Sequence, residues 1–93
     1  MGEPIESMIF ANKRSESEII AQILYSAESD VKKTRLLYEA NISYTHFIKY
    51  FNFLLEKGFI EVKDGNPTGK VYQTTEKGKH FLKDINNVLQ QIY

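Results

Sequence analysis

Side chains of the types that commonly contact nucleic acids are concentrated in one short stretch of the sequence. Hydroxyl, imidazole, ammonium and amide groups all occur between residues 43 and 52. Such groups donate hydrogen bonds to phosphate oxygens or read base edges in the DNA major groove, which is wide enough to admit an α-helix. The stretch therefore predicts a DNA-reading helix, with contacts from Ser43, Tyr44, Thr45, His46, Lys49 and Asn52.

Basic residues flank this stretch on both sides. Lys32, Lys33 and Arg35 precede it, and Lys63 and Lys70 follow it on either side of a turn-rich loop. Ammonium and guanidinium groups that meet phosphates release condensed counterions, which gives salt-sensitive affinity with little sequence information. A single basic residue is ordinary on any solvated surface, so the grouping rather than any one position favours DNA contact.

The charge of the chain is unevenly distributed although its formal net charge is zero. Residues 1–30 contain two basic and six acidic residues, whereas residues 31–83 contain ten basic and five acidic residues. The basic segment is the one that holds the predicted DNA-reading stretch. A local excess of positive charge is what a polyanionic partner requires.

The residue inventory argues against an enzyme and against a metal site. The chain has no cysteine, and its only histidines, His46 and His80, are far apart in sequence without a neighbouring carboxylate cluster. The turn residues 65–69 are not followed by the Lys-Ser/Thr pair of a phosphate-binding loop. We therefore expect no catalytic residues, no metal and no cofactor.

Length and composition indicate a single globular domain. The chain has 93 residues, of which 42% are hydrophobic and 26% charged. No apolar run approaches the ~18 residues that would span a bilayer. The N-terminus lacks the basic and then apolar segments of a secretory signal. These features predict a cytoplasmic protein.

Two helices are predicted in the first part of the domain. Ser15 and Glu18 have the spacing of a capping box, so the first helix should begin near Ser15. A second, short helix is predicted over residues 32–40. Asn41 follows it, and asparagine tolerates the left-handed backbone of a turn.

The third predicted helix is the one that carries the DNA-reading stretch. Ser43 is a suitable N-cap, and Gly58 is a suitable residue just beyond the C-terminus. Phe47, Phe51 and Leu54 recur at steps of four and three residues, so they should face the core together. The polar residues listed above are then directed outward.

The pattern changes from helical spacing to short β-like segments after residue 58. Residues 59–63 and 70–74 are strand candidates, and the turn formers of residues 64–69 between them predict a hairpin. Thr75 should cap a last helix that runs to the C-terminus. Three helices followed by a two-stranded hairpin form a winged helix-turn-helix, an α+β fold that is mainly α.

The predicted elements divide the chain into three parts. Residues 1–14 show no clear period and are expected to form a flexible arm. Residues 15–75 are expected to form the winged-helix DNA-binding domain. Residues 76–93 are expected to form a C-terminal dimerisation helix.

The last helix carries a hydrophobic stripe at alternating three- and four-residue steps, as in a coiled coil. One interpretation is that the helix folds back on the first helix of its own chain. The stripe continues to the end of the chain, however, and this favours a homodimer. The predicted dimer contacts are Leu82, Ile85, Leu89 and Ile92, with Phe81 and Val88 beside them.

The sequence also resembles a known family. The segments KTRLLYEANIS, KGFI and TTEKGKHFL are similar to those of the archaeal winged helix-turn-helix regulators of about ten kilodaltons. The resemblance covers roughly residues 19–89. It implies double-stranded DNA as the partner, the third helix as the major-groove reader, and dimerisation through a C-terminal coiled coil.

A second hypothesis is that the winged helix binds another protein instead of DNA. Phe53 on the third helix, an exposed Tyr44 and the neutral overall charge favour it. DNA binding ranks first because the basic residues fall on the elements that would meet a duplex. The sequence leaves open whether such a protein is a site-specific regulator or an architectural DNA-binding protein.

Overall fold

The computed structural model describes residues 15–65 and 69–92. The predicted arm, residues 1–14, lies outside the described residues, as do the loop residues 66–68 and Tyr93. In chain order the elements are α1 (Glu16–Ser26), α2 (Lys33–Ala40), α3 (Tyr44–Glu56), β1 (Ile60–Asp64), β2 (Lys70–Thr74) and α4 (Glu76–Ile92). The predicted order of three helices, a hairpin and a last helix is confirmed.

Three of the helices begin at the residues that the sequence predicts. Ser15 and Glu18 form a reciprocal capping box at α1. The Ser43 hydroxyl accepts a hydrogen bond from the His46 amide at α3, and the Thr75 hydroxyl accepts one from the Gly78 amide at α4. Each cap satisfies an amide that the first turn of a helix leaves without a backbone partner.

The turns around the third helix also follow from residue type. Asn41 ends α2 in the left-handed conformation, with φ 55° and ψ 46°, which asparagine tolerates better than most residues. Gly58 follows α3 with φ 76°, where a side chain would strain the backbone. These two turns fix the direction of α3 relative to α2 and the hairpin.

The hairpin is an antiparallel pair in which Ile60 lies opposite Thr74 and Val62 opposite Tyr72. A third segment joins it, because Val31 forms an isolated antiparallel bridge with Tyr72 through two backbone hydrogen bonds. The sequence patterns did not predict this bridge. It attaches the residues just before α2 to the hairpin, which is the wing of the fold.

The core lies between α1, α2, α3 and the base of the hairpin. Phe47, Phe51 and Leu54 are buried as predicted, and the Phe47 and Phe51 rings stack with centroids 5.3 Å apart. The buried Thr74 hydroxyl donates a 2.7 Å hydrogen bond to the carbonyl oxygen of Leu24. This bond satisfies a polar group inside the core, where an unpaired hydroxyl would be costly.

The last helix packs on its own chain through part of its apolar stripe. Leu82 and Ile85 are buried in the core, against α1. The Phe81 ring stacks on Phe59 at a centroid distance of 4.2 Å. The last helix therefore does fold back on α1, with Leu82 and Ile85 as its buried side chains.

Candidate nucleic-acid interface

The outer side of α3 presents one row of polar residues. Thr45, Lys49 and Asn52 are exposed and lie at helical steps of four and three residues. The buried Phe47, Phe51 and Leu54 are on the opposite side and anchor the helix. Glu56 continues the same row at the C-terminal end of α3. It was not among the predicted residues, and its carboxylate makes that end of the row less suited to a polyanion.

Lys33, the first residue of α2, lies beside the N-terminal end of α3. Its ammonium nitrogen lies 5.8 Å from the ring centroid of Tyr44 and 5.1 Å from that of Phe51. Cations are attracted to aromatic faces at such distances. The contact brings a basic residue of α2 to the N-terminal end of α3, beside a tyrosine that is 56% exposed.

Ser43 and His46 form a small polar pair at the same end of α3. The Ser43 hydroxyl lies 3.0 Å from His46 Nδ1 while it also caps the helix. Both residues are exposed. Because the serine hydroxyl is engaged in capping, His46 has more freedom than Ser43 to contact an external ligand.

The wing places its two predicted lysines on opposite faces of the ribbon. Side chains alternate along a strand, so Lys70 shares a face with Tyr72, whose ring contacts Phe51 of α3 edge-on at 4.9 Å. Lys63 occupies the other face, where its ammonium lies 3.6 Å from Asp30 and donates a hydrogen bond to Gln73. Lys70 is thus on the α3 side, and Lys63 is not.

Arg35 also points away from the other predicted residues. Lys33 and Arg35 are about 200° apart around a helix, and Arg35 lines a polar groove between α1 and α2 with Tyr25 and Ser26. It forms a 3.0 Å ion pair with Glu39. Hydrogen bonding from Ser26, and then the Arg35 guanidinium, lowers the pKa of Glu39 below its usual value.

The side chain of Lys49 extends from the exposed row of α3 toward the start of α1. Its ammonium nitrogen lies 3.6 Å from a carboxylate oxygen of Glu16 and 5.4 Å from the ring centroid of Tyr50. The Tyr50 hydroxyl donates a 3.4 Å hydrogen bond to the same oxygen of Glu16. The sequence did not predict the ion pair between Lys49 and Glu16, since residues 16 and 49 are distant in the chain.

The start of α2 and the inner side of the wing thus both adjoin α3, through the contacts of Lys33 with Tyr44 and of Tyr72 with Phe51. The exposed row of α3, the start of α2 and the inner side of the wing carry most of the predicted DNA contacts, and we refer to these three surfaces together as the DNA face. Arg35 and Lys63 lie outside it. Its predicted members are Lys32, Lys33, Ser43, Tyr44, Thr45, His46, Lys49, Asn52 and Lys70.

Phe53 does not extend from α3 as a free aromatic residue. It is partly buried against the core, and its ring centroid lies 6.2 Å from that of Phe59. Phe53, which favoured the protein-binding hypothesis, thus packs within its own chain. This weakens the main sequence argument for a protein-binding module.

The C-terminal helix leaves one row of apolar side chains incompletely covered. Val88 is 55% exposed and Ile92 is 65% exposed, while Phe81 is partly buried. These residues are seven and four positions apart, so they lie along one side of α4. Leu89 is also partly buried, on the side that faces α1.

Within residues 15–65 and 69–92, no three histidine, aspartate or glutamate side chains are grouped as a metal ion would require. In the same ranges, no helix has the length and apolar character to cross a membrane.

A three-helix unit with an exposed third helix and an adjoining β-hairpin defines the winged helix-turn-helix class of proteins. The winged helix-turn-helix family model matches residues 13–92 of this chain. The chain belongs to this family.

Similar proteins come from archaea. The chain is 37% identical over 82 residues to the uncharacterized protein MJ0290 of Methanocaldococcus jannaschii, covering 87% of this chain but only 36% of that protein. It is 33% identical over 79 residues to the uncharacterized protein MJ0287 of the same organism, covering 84% of this chain and 76% of that protein.

One similar solved structure is that of Sso10a-2, described as a DNA-binding protein from Sulfolobus solfataricus. The TM-score is 0.73 at 34% sequence identity, and the match covers 83% of this chain and 80% of that chain. The resemblance to small archaeal winged-helix proteins is thus confirmed.

Proposed function

We propose that this protein binds double-stranded DNA through the DNA face. The observation that carries the proposal is the exposed row of Thr45, Lys49 and Asn52 on a helix whose opposite side is fully buried. Lys33 and Lys70 flank that row from α2 and from the wing. The described similarity to the DNA-binding Sso10a-2 supports the same function, which would be exercised in the cytoplasm and without catalysis.

The residues of the DNA face would have two roles: some would position the protein on the duplex, and others would read the base sequence. Lys32, Lys33 and Lys70 have no carboxylate partner among the described residues and can pair with phosphates. Thr45 and Asn52 carry uncharged groups that can hydrogen-bond to base edges in the major groove. Sequence preference, and with it a role as a transcription regulator, would rest on these two residues.

Binding to a DNA duplex should weaken steeply with salt. Three phosphate contacts per protomer correspond to a slope of about −2.7 for log K against log salt concentration. Lys33→Ala is expected to reduce the magnitude of this slope by about 0.9, because one counterion fewer is released. Fluorescence anisotropy of a labelled random duplex, titrated at several salt concentrations, measures both values.

The wing offers a matched comparison for this experiment. Lys70→Ala should reduce the slope as Lys33→Ala does, whereas Lys63→Ala should leave it unchanged, since Lys63 lies on the other face of the ribbon beside Asp30. An affinity that is flat with salt in the unmodified protein, or absent at low salt, would rule out the proposed function. Equal effects of the two wing variants would rule out the assigned orientation.

We also propose that two chains associate through the incompletely covered apolar row of α4. Leu82 and Ile85 are already covered by their own chain, so the contact would fall on Phe81, Val88 and Ile92. Apolar residues at these spacings suit a helix-to-helix seam. A two-fold dimer would present two α3 helices to one duplex.

Val88→Glu is expected to convert the dimer into a monomer, because it would bury an unpaired carboxylate in the seam. Sedimentation equilibrium over a range of protein concentrations reports the change. Asn87→Glu is the matched control, since it adds the same charge one residue away on another, exposed side of α4. A monomeric unmodified protein, or equal dissociation of both variants, would refute the proposed seam.

A further inference from the structure

The contacts of Lys49 differ from those of the other lysines on the DNA face. Lys32, Lys33 and Lys70 have no ion-pair partner among the described residues, whereas the Lys49 ammonium lies 3.6 Å from the Glu16 carboxylate. The pair joins the first turn of α1 to the middle of α3. It therefore couples the reading helix to an acidic residue of a different element.

The pair is part of a closed arrangement of three side chains. The same Glu16 oxygen accepts a hydrogen bond from the Tyr50 hydroxyl, and the Lys49 ammonium lies over the Tyr50 ring. Ile20 and Phe53 form the apolar floor beside them. Tyr50 thus contacts both members of the ion pair, the carboxylate through its hydroxyl and the ammonium through its ring.

Apart from Lys49 and Tyr50, Glu16 has no side-chain partner among the described residues. The capping box of α1 uses Glu18, not Glu16. An acidic residue in the first turn does favour the helix dipole, but that requirement does not direct the carboxylate toward Lys49. The carboxylate, 3.6 Å from the ammonium nitrogen, offers Lys49 a negative charge as a DNA phosphate would.

We propose that Glu16 is an internal competitor for phosphate, which restrains Lys49 and sets the DNA affinity of the protein. The inference rests on the proposed DNA binding. A phosphate that approaches Lys49 competes with the carboxylate for the N–H groups of the ammonium and is repelled by the charge of the carboxylate. Lys49 therefore contributes less to counterion release in the unmodified protein than an unpaired lysine would, although it stands in the middle of the exposed row.

The test is a double-mutant cycle on the full chain, with a labelled random duplex as the probe. Glu16→Gln should strengthen binding at low salt and make the salt slope steeper by about 0.9, as expected for one additional phosphate contact. The extra contact corresponds to an additional loss of about 3.5-fold in affinity between roughly 50 and 200 mM salt. In the Lys49→Ala background, Glu16→Gln should no longer steepen the slope.

Glu76→Gln is the matched control for net charge and for the helix dipole. Glu76 is likewise the first residue of a helix, is exposed, and pairs with a lysine, Lys79, at 3.4 Å. Its substitution should leave the salt slope unchanged. Circular dichroism of every variant establishes that the helical content is retained before affinities are compared.

The outcomes separate this proposal from the proposed function. Failure of the unmodified protein to bind duplex DNA would refute the function. Normal binding with the same gain from Glu16→Gln in the presence and absence of Lys49 would indicate a general charge effect and overturn the competitor role. Weaker binding of Glu16→Gln would also overturn it, because Glu16 would then present Lys49 to DNA instead of restraining it.

Discussion

Replacing Gly78 with alanine is expected to reduce the free energy of unfolding by about 3 kcal/mol, the upper part of the usual range for overpacking a tightly packed site. A Cβ at this position would lie 2.1 Å from the carbonyl oxygen of Phe59 and 2.7 Å from Cγ2 of Thr74. The carbonyl cannot move aside cheaply, because it accepts a 3.0 Å hydrogen bond from the Thr75 amide. Urea unfolding followed by circular dichroism at a fixed protein concentration measures the loss.

The sign of the stability change distinguishes Gly78 from a glycine in an exposed helix. In an exposed helix interior, glycine to alanine normally stabilises by up to about 1 kcal/mol. Asn87→Ala on the exposed side of the same helix is the reference, and its effect should stay within about 0.5 kcal/mol. If Gly78→Ala were neutral or stabilising, α4 could not cross the start of the hairpin as closely as the structure places it.

Local features of this fold could be read from the sequence because they depend on neighbouring residues. The serine and threonine caps, the left-handed Asn41 and the glycine after α3 each satisfy backbone groups within a few positions. The buried faces of the helices follow from apolar spacing in the same way. The need for glycine at position 78 could not be predicted in this way, since the group that excludes a side chain there is a carbonyl nineteen positions earlier in the chain.

The candidate site could be predicted in composition but only partly in arrangement. Helical geometry alone could have separated Lys33 from Arg35, and strand alternation could have separated Lys63 from Lys70. The ion pairs of Lys49 and Lys63 could not be predicted, because Glu16 and Asp30 approach them only through tertiary packing. Similarly, the Val31 bridge to Tyr72 is a single pairing without a strand pattern.

Phe47→Ala is expected to have the other large effect, a loss of about 3–5 kcal/mol of stability. The Phe47 side chain is fully buried, and its ring stacks on Phe51 on the core side of α3. Truncation leaves a cavity where α3 is anchored, and a domain of this size has little stability in reserve. DNA affinity should fall in proportion to the folded fraction, as measured by anisotropy and circular dichroism on the same samples.

The double variant Thr45→Ala, Asn52→Ala is the counterpart on the opposite side of α3. Both residues are exposed, so thermal unfolding should change little, and a duplex of random sequence should bind with an unchanged salt slope. Any preference for particular genomic fragments should decrease, because base-edge contacts carry sequence information but release no counterions. If the unmodified protein shows no such preference, Thr45 and Asn52 do not read the base sequence, and the protein binds DNA as an architectural protein. A shallower slope in the double variant would instead place Thr45 and Asn52 on phosphates.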